Sequence, residues 1–160
     1  YLEKNMGNGG IDSFGKTVTN YVDLNPANSL LDYNCGQITY NTHQGTDIEI
    51  LNFYEMDEGV PILCSAQGHV IYINDGEYDR NTEWINGANA NAVIVSHSDG
   101  SEAWYLHMRK NSVNVELGDT VAVGDTLGYV GSSGYSSGPH IHFEIQQNGT
   151  VINKKQSKIL

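Results

Sequence analysis

Three short motifs carry the residues best suited to chemistry in this chain. They are His43-Gln44-Gly45-Thr46-Asp47, Tyr105-Leu106-His107 and Gly138-Pro139-His140-Ile141-His142-Phe143-Glu144. Together they hold four of the six histidines and a carboxylate at Asp47. Imidazoles and a carboxylate in such a set are metal ligands: a catalytic zinc site takes three N or O ligands and leaves a fourth position to water. Histidines left over from ligation then serve as proton carriers or charge stabilisers.

The spacings say which elements must present these groups. His140 and His142 lie two apart in an apolar, β-branched and aromatic run reaching Gln147. Such a run is a strand, which puts both imidazoles on one face about 6–7 Å apart. Both can belong to one site in different roles. His43 and Asp47 are four apart, which in a straight strand separates their side chains by about 13 Å, too far to share an ion. Gly45 lies between them, and glycine lets a chain turn sharply. The spacing therefore predicts a bend at Gly45, with Asp47 opening a strand over Asp47–Leu51. A helix would also bring i and i+4 together, but the flanking residues are β-rich.

The 160 residues suffice for one domain with a core and are too few for two comfortable ones. With 18 Gly, 10 Tyr and 3 Pro, the composition is that of a loop-rich β protein. Strand-like runs are Gln37–Tyr40, Asp47–Leu51, Val60–Ala66, Val70–Asn74, Ala92–His97, Ala103–Met108, Thr126–Val130 and His140–Gln147. Gly, Asn, Asp and Ser clusters separate most of them, the pattern of an all-β sandwich or barrel. Gly59-Val60-Pro61 leading to Gly68-His69-Val70 is echoed by Gly118-Asp119-Thr120-Val121 leading to Gly128-Tyr129-Val130. Two such turn–strand units can pack as related halves of one sheet system. No amphipathic helix of ten or more residues is expected. Residues 1–34 read as an N-terminal extension packed on the domain, 35–150 as the domain itself and 151–160 as a tail. The polar stretch Asp75–Asn91 reads equally as a cleft wall or as a solvated surface loop.

The net charge of −11 is a poor footprint for nucleic acid or an anionic membrane. Three of the eight basic residues, Lys154, Lys155 and Lys158, sit in the tail. No apolar run reaches the roughly 20 residues needed to span a bilayer. The chain opens on Tyr1, which reads as a mature fragment of an exported precursor, secreted, extracellular or periplasmic. In that setting Cys35 and Cys64 are expected to form one disulfide, the alternative being two buried thiols.

These motifs, in this order, resemble the lysostaphin-like M23 family of zinc metalloendopeptidases, also called the LytM domain. The likeness rests on H-x-G-x-D, Y-x-H and G-P-H-x-H-F-E, with the glycine framework Gly59, Gly68, Gly118, Gly124, Gly128, Gly131 and Gly134 between them. It covers roughly Cys35 to Gln147. It implies a mainly antiparallel fold like a duplicated hybrid motif, with a groove over a central sheet. It implies one zinc ion per chain held by His43, Asp47 and His142, with His107 and His140 catalytic beside it. Zinc with one carboxylate and two neutral imidazoles lowers the pKa of bound water from about 15.7 toward about 7. No H-E-x-x-H helix supplies a glutamate base, so proton transfer falls to His107 and His140 in a division left open.

Glu144, two beyond His142, falls on the same strand face and is either a partner to that ligand or a cross-strand contact. Tyr105, counted onto the His107 face, either supports the site or packs in the core. Tyr40 is placed to reach a substrate carbonyl. His97 reads as structural and His69 as solvated. The implied substrates are peptidoglycan stem or bridge peptides, or Gly-rich peptides, cleaved by a monomer. The competing readings are a non-catalytic regulator of a wall amidase and a phosphocarrier-like binding module.

Overall fold

The structure is a computed structural model and describes residues 16–25 and 29–152. The basic residues of the tail, Lys154, Lys155 and Lys158, lie outside the described residues. In chain order the elements are β1 (Thr17–Asn20), β2 (Thr46–Glu49), α1 (Phe53–Glu58), β3 (Pro61–Leu63), β4 (Gly68–Asn74), β5 (Ala92–Ser96), β6 (Ser101–Leu106), β7 (Thr120–Val121), β8 (Thr126–Tyr129), β9 (His140–Gln147) and β10 (Thr150–Val151). Eight strands form one sheet in the order β1-β2-β9-β6-β5-β4-β7, with β10 also paired to β9, while β3 and β8 pair apart from it. Every strand ladder is antiparallel. The expected all-β fold is thus what forms.

The side-chain alternation of each strand divides the large sheet into two faces. Tyr105 of β6 stands opposite Phe143 of β9 and Val93 of β5, and Ala103 stands opposite Ile145 and Val95. These residues pack with Ile62, Cys64, Val70, Met108, Leu127 and Val130 into one apolar cluster. Burying such side chains is worth roughly 1.5–3 kcal/mol each, which fixes the register. The opposite face of β9 carries His140, His142 and Glu144, so the pattern that holds the core also aims the chemistry.

The two echoed units interlock. β3 of the first pairs with β8 of the second, and β4 of the first pairs with β7 of the second. Each unit thus completes its hydrogen bonding through the other. Val130 N donates to Val60 O at 2.9 Å, joining the same two units outside the named strands.

Two expectations need correction, the strand over 37–40 and the disulfide, and two elements carried no sequence signal. Residues 37–40 form no strand, because the Ile38 N–H is taken by Asp32 Oδ2 (2.9 Å) and its carbonyl by Tyr21 N (2.8 Å). The N-terminal region, unmarked by periodicity, supplies the edge strand β1. A six-residue helix, α1, follows β2. It is capped by Asn52 Oδ1, which accepts from Glu55 N at 3.0 Å, and ended by Gly59 at φ 94°. Finally, Cys35 and Cys64 are free thiols. Cys64 is buried in the core with Sγ donating to Ala66 O at 3.0 Å, whereas Cys35 is exposed. Counting cysteines does not reveal that one points into the core and the other into solvent.

Candidate metal centre

β2 and β9 build the centre. Asp47 stands directly opposite His142 across the ladder, and Glu49 opposite His140. Opposed side chains on one face lie within contact distance, and Asp47 Oδ1 is 2.8 Å from His142 Nδ1. His43 enters from the turn before β2. Its Nε2 is 3.1 Å from Asp47 Oδ1 and 3.2 Å from His142 Nδ1. The bend that makes this possible falls at Gly45. A Cβ there would sit 2.5 Å from His142 Nε2 and 2.7 Å from Phe143 O, so only glycine lets the bend lie against β9.

The hydrogen bonds of each ring fix its tautomer, because a carbonyl only accepts. His43 Nδ1–H donates to Tyr21 O at 2.8 Å, leaving the Nε2 lone pair to face Asp47 and His142. His107 Nδ1–H donates to Ser133 O at 2.7 Å, and His140 Nδ1–H to Gly138 O at 2.8 Å. His140 Nε2 then lies 3.8 Å from Asp47 Oδ1. His142 is turned the other way: Nδ1 faces the cluster and Nε2 lies 3.3 Å from Glu144 Oε2. The His107 and His140 rings sit 4.5 Å apart, and Tyr40 stacks on His43 at 4.2 Å.

The cluster is dry. His43, Asp47, His107, His142 and Glu144 are at most 8% exposed. Burial raises the Asp47 carboxyl, but hydrogen bonds from His142 and His43 hold it well below the usual carboxylate range. Burial likewise works against a charged His142, yet its bonds to Asp47 and Glu144 push it up to about 9. Burial and the neighbouring His140 push His107 down to about 3. Among the described residues the ion-pair partners of Asp47 and Glu144 are all histidines.

This donor set fits a metal ion. His43 Nε2, Asp47 Oδ1 and His142 Nδ1 are the three atoms of a His–Asp–His group whose ligand atoms all lie within 4.8 Å of one another. Two nitrogens and one oxygen are what zinc takes at a catalytic site with an open position.

Of the other expected residues, Glu144 reaches the cluster and Tyr105 does not. Tyr105 lies on the core face, its hydroxyl accepting from Ser65 N at 2.9 Å, 5.2 Å from the Phe143 ring. Counting by twos fails there because β6 ends at Leu106 and His107 takes φ 65°. The cysteines take no part. The loop over Asp75–Asn91 is tied to the segment that holds the histidines: Asn81 Nδ2 donates to Gly134 O at 2.8 Å and Ser132 Oγ to Asn81 O at 2.7 Å. His69 is exposed beside Thr120, and His97 binds Gln67 O at 2.9 Å. Sequence reasoning missed Asn20, whose Nδ2 donates to Asp47 Oδ2 at 3.2 Å, and the Tyr21 carbonyl. Neither carries a motif signal.

Comparison with known proteins identifies the family. The model of Peptidase family M23 matches residues 41–154. The DD-carboxypeptidase/endopeptidase Mpg of Neisseria meningitidis is 31% identical over 72% of this chain and 22% of its own length. The glycyl-glycine endopeptidase ALE-1 of Staphylococcus capitis is 30% identical over 74% of this chain and 28% of its own. The chain thus spans under a third of the length of these relatives. The catalytic domain of the M23 protein EnpA from Enterococcus faecalis shares the fold, with a TM-score of 0.60, 24% identity and coverage of 88% of this chain and 89% of that one. With the family model covering well over half of its residues, the chain belongs to peptidase family M23.

Proposed function

We propose that this chain is a zinc-dependent endopeptidase that hydrolyses peptide bonds of bacterial peptidoglycan, in stem peptides or glycine-rich cross-bridges. The observation that carries the reading is the convergence of His43 Nε2, Asp47 Oδ1 and His142 Nδ1 beside two further histidines whose Nδ1 atoms are fixed by carbonyls. The names of Mpg and ALE-1 support the substrate class. We assign the peptidase domain to residues 35–150, working as an exported monomer.

His43, Asp47 and His142 would hold the ion, which when bound supplies Lewis-acid activation of water and of the scissile carbonyl. His107, kept neutral by burial, carries a lone pair on Nε2 that orients the attacking water by accepting its hydrogen bond. His140 Nε2, 3.8 Å from Asp47 Oδ1, is set beside the same point, and its lone pair takes the proton of the attacking water and passes it on to the leaving amine. The Tyr40 phenol, half exposed and stacked on His43, offers a hydrogen bond beside the cluster. Burial of the cluster excludes bulk water and strengthens each of these contacts.

The test pairs metal content with cleavage of purified peptidoglycan and of pentaglycine, for the native chain and His140→Ala. The expected result is about one zinc per chain in both proteins, with cleavage lost in the variant. Zinc without cleavage of either substrate by the native chain would turn the reading toward a regulator of a wall amidase. No zinc in the native chain would sink it.

A further inference from the structure

We propose that Asn20 is a positioning residue that makes Asp47 a one-oxygen metal ligand, and that the strand carrying it is part of the metal centre. This rests on the reading of His43, Asp47 and His142 as a zinc site. The argument begins with the register of β1. Thr17 opposes Glu49 and Val18 opposes Ile48, but the next pair is Asn20 with Asp47. Thr19 is the extra residue of a β-bulge. Without it, Thr19 would oppose Asp47 and Asn20 would point to the other face. A bulge re-aims the side chains that follow it, and bulges gather beside active sites for this reason.

The result is a row of three residues across three neighbouring strands, Asn20, Asp47 and His142, each directly opposite the next. The row divides the Asp47 carboxylate. Oδ1 takes all the imidazole contacts, at 2.8 Å from His142, 3.1 Å from His43 and 3.8 Å from His140. Oδ2 accepts the Asn20 amide at 3.2 Å. An amide in that place opposes rotation of Oδ2 toward an ion seated at Oδ1. The chain then offers three donor atoms and not four, which leaves a coordination position open to water.

The next residue completes the support. The Tyr21 carbonyl receives His43 Nδ1–H at 2.8 Å, so residues 20 and 21 steady two of the three ligands. Both lie ahead of residue 41, where the match to the family model begins. Outer partners of this kind orient metal ligands and are worth 10–100-fold in affinity or activity when removed.

The test uses the full chain loaded with cobalt(II), whose visible bands are intense in four-coordinate sites and weaken when a further ligand is added. Asn20→Ala and Asn20→Leu both remove the donor, the second while keeping bulk. Thr19→Val removes the neighbouring contact to the Asp47 backbone carbonyl, 3.5 Å away, and leaves the carboxylate alone. We expect about one cobalt per chain throughout, weakened bands in both Asn20 variants and native bands in Thr19→Val. Zinc affinity, read by chelator competition, should fall about tenfold in the Asn20 variants. Native bands in both Asn20 variants overturn the proposal whatever their affinity. Equal weakening in Thr19→Val also overturns it, because that marks a loosened sheet edge. A native chain that takes up neither metal overturns the zinc reading itself, an outcome separate from the other two.

Discussion

Glu144 Oε2 lies 3.3 Å from Nε2 of His142, on the side of the ring away from Asp47. The ring is gripped from both sides, and the grip decides that Nδ1 faces the cluster, unlike Nε2 of His43. Glu144 is buried and also receives the Gln146 amide. Removing such a partner leaves the ligand free to reorient. Glu144→Ala should lower zinc affinity by about 10–100-fold, and Glu144→Gln, which keeps an acceptor oxygen, by less. Chelator competition on the three proteins measures this. Equal affinity in all three would show that the ring is held by Asp47 alone.

The same pair makes metal binding a proton exchange. In the metal-free chain Asp47 and Glu144 push the His142 pKa up to about 9 against the effect of burial. Below that pH an ion must displace the proton, so about one proton should leave per zinc at pH 7. Calorimetry in buffers of different ionisation enthalpy counts it. The sign for stability follows from linkage. A folded pKa above the unfolded value of about 6.5 stabilises the fold fully below pH 6.5, and that contribution is lost as pH rises through about 9. Melts of the metal-free chain should therefore fall from pH 6.5 to 9, while the zinc-loaded chain gains stability as proton competition fades. Asp47, held low, contributes only to losses in acid and does not disturb this window. Parallel slopes for the two forms would contradict the exchange.

Asp32 supports the centre from a distance. Its buried carboxylate accepts Asn34 N and Gly36 N at 2.8 Å and Ile38 N at 2.9 Å. Ile38 O in turn receives Tyr21 N, and Tyr21 O holds His43. Burial raises the Asp32 pKa, but the three backbone donors outweigh it and hold the carboxyl below its usual range. Asp32→Asn places an amide donor against backbone donors and should cost about 1–3 kcal/mol at pH 7. Because the folded pKa is lowered, the native advantage is present above about pH 4 and fades as the pH falls below it. Urea unfolding at pH 7 and pH 3 checks both statements. A gap that stays constant between the two pH values would remove the charge from the explanation.

Much of the centre was legible because its chemistry is carried by side chains at strand spacing. His140–Gln147 was read with its observed bounds, since an alternating run with a long apolar face has one stable register. The bend at Gly45 followed from the reach of a strand. What escaped has a physical reason in each case. Asn20 faces Asp47 only because Thr19 bulges out, and a four-residue strand carries no periodicity that could show a bulge. The Tyr21 and Ser133 contributions are carbonyls, which every residue has. Tyr105 was counted onto the wrong face because parity holds only inside a strand, and His107 leaves it at φ 65°. The cysteine pairing failed because composition does not tell where a thiol points.

Gly45 gives the sharpest test of how closely the bend is fitted to the sheet. A Cβ at this position would meet His142 Nε2 at 2.5 Å, His142 Cε1 at 2.6 Å and Phe143 O at 2.7 Å. The carbonyl belongs to the ladder of β2 with β9 and cannot yield without opening it. The ring can yield only by leaving Glu144. Gly45→Ala should therefore destabilise the chain by about 1–3 kcal/mol, the usual cost of overpacking. It should also lower zinc affinity, because either relief moves a ligand. Gly138→Ala is the control: a Cβ there meets nothing within 4 Å, although Gly138 lies two residues from His140. Its melting temperature and zinc affinity should match the native chain. Thermal melts with chelator competition separate the two variants, and native values for Gly45→Ala would mean that β2 and β9 hold the ligands with slack to spare.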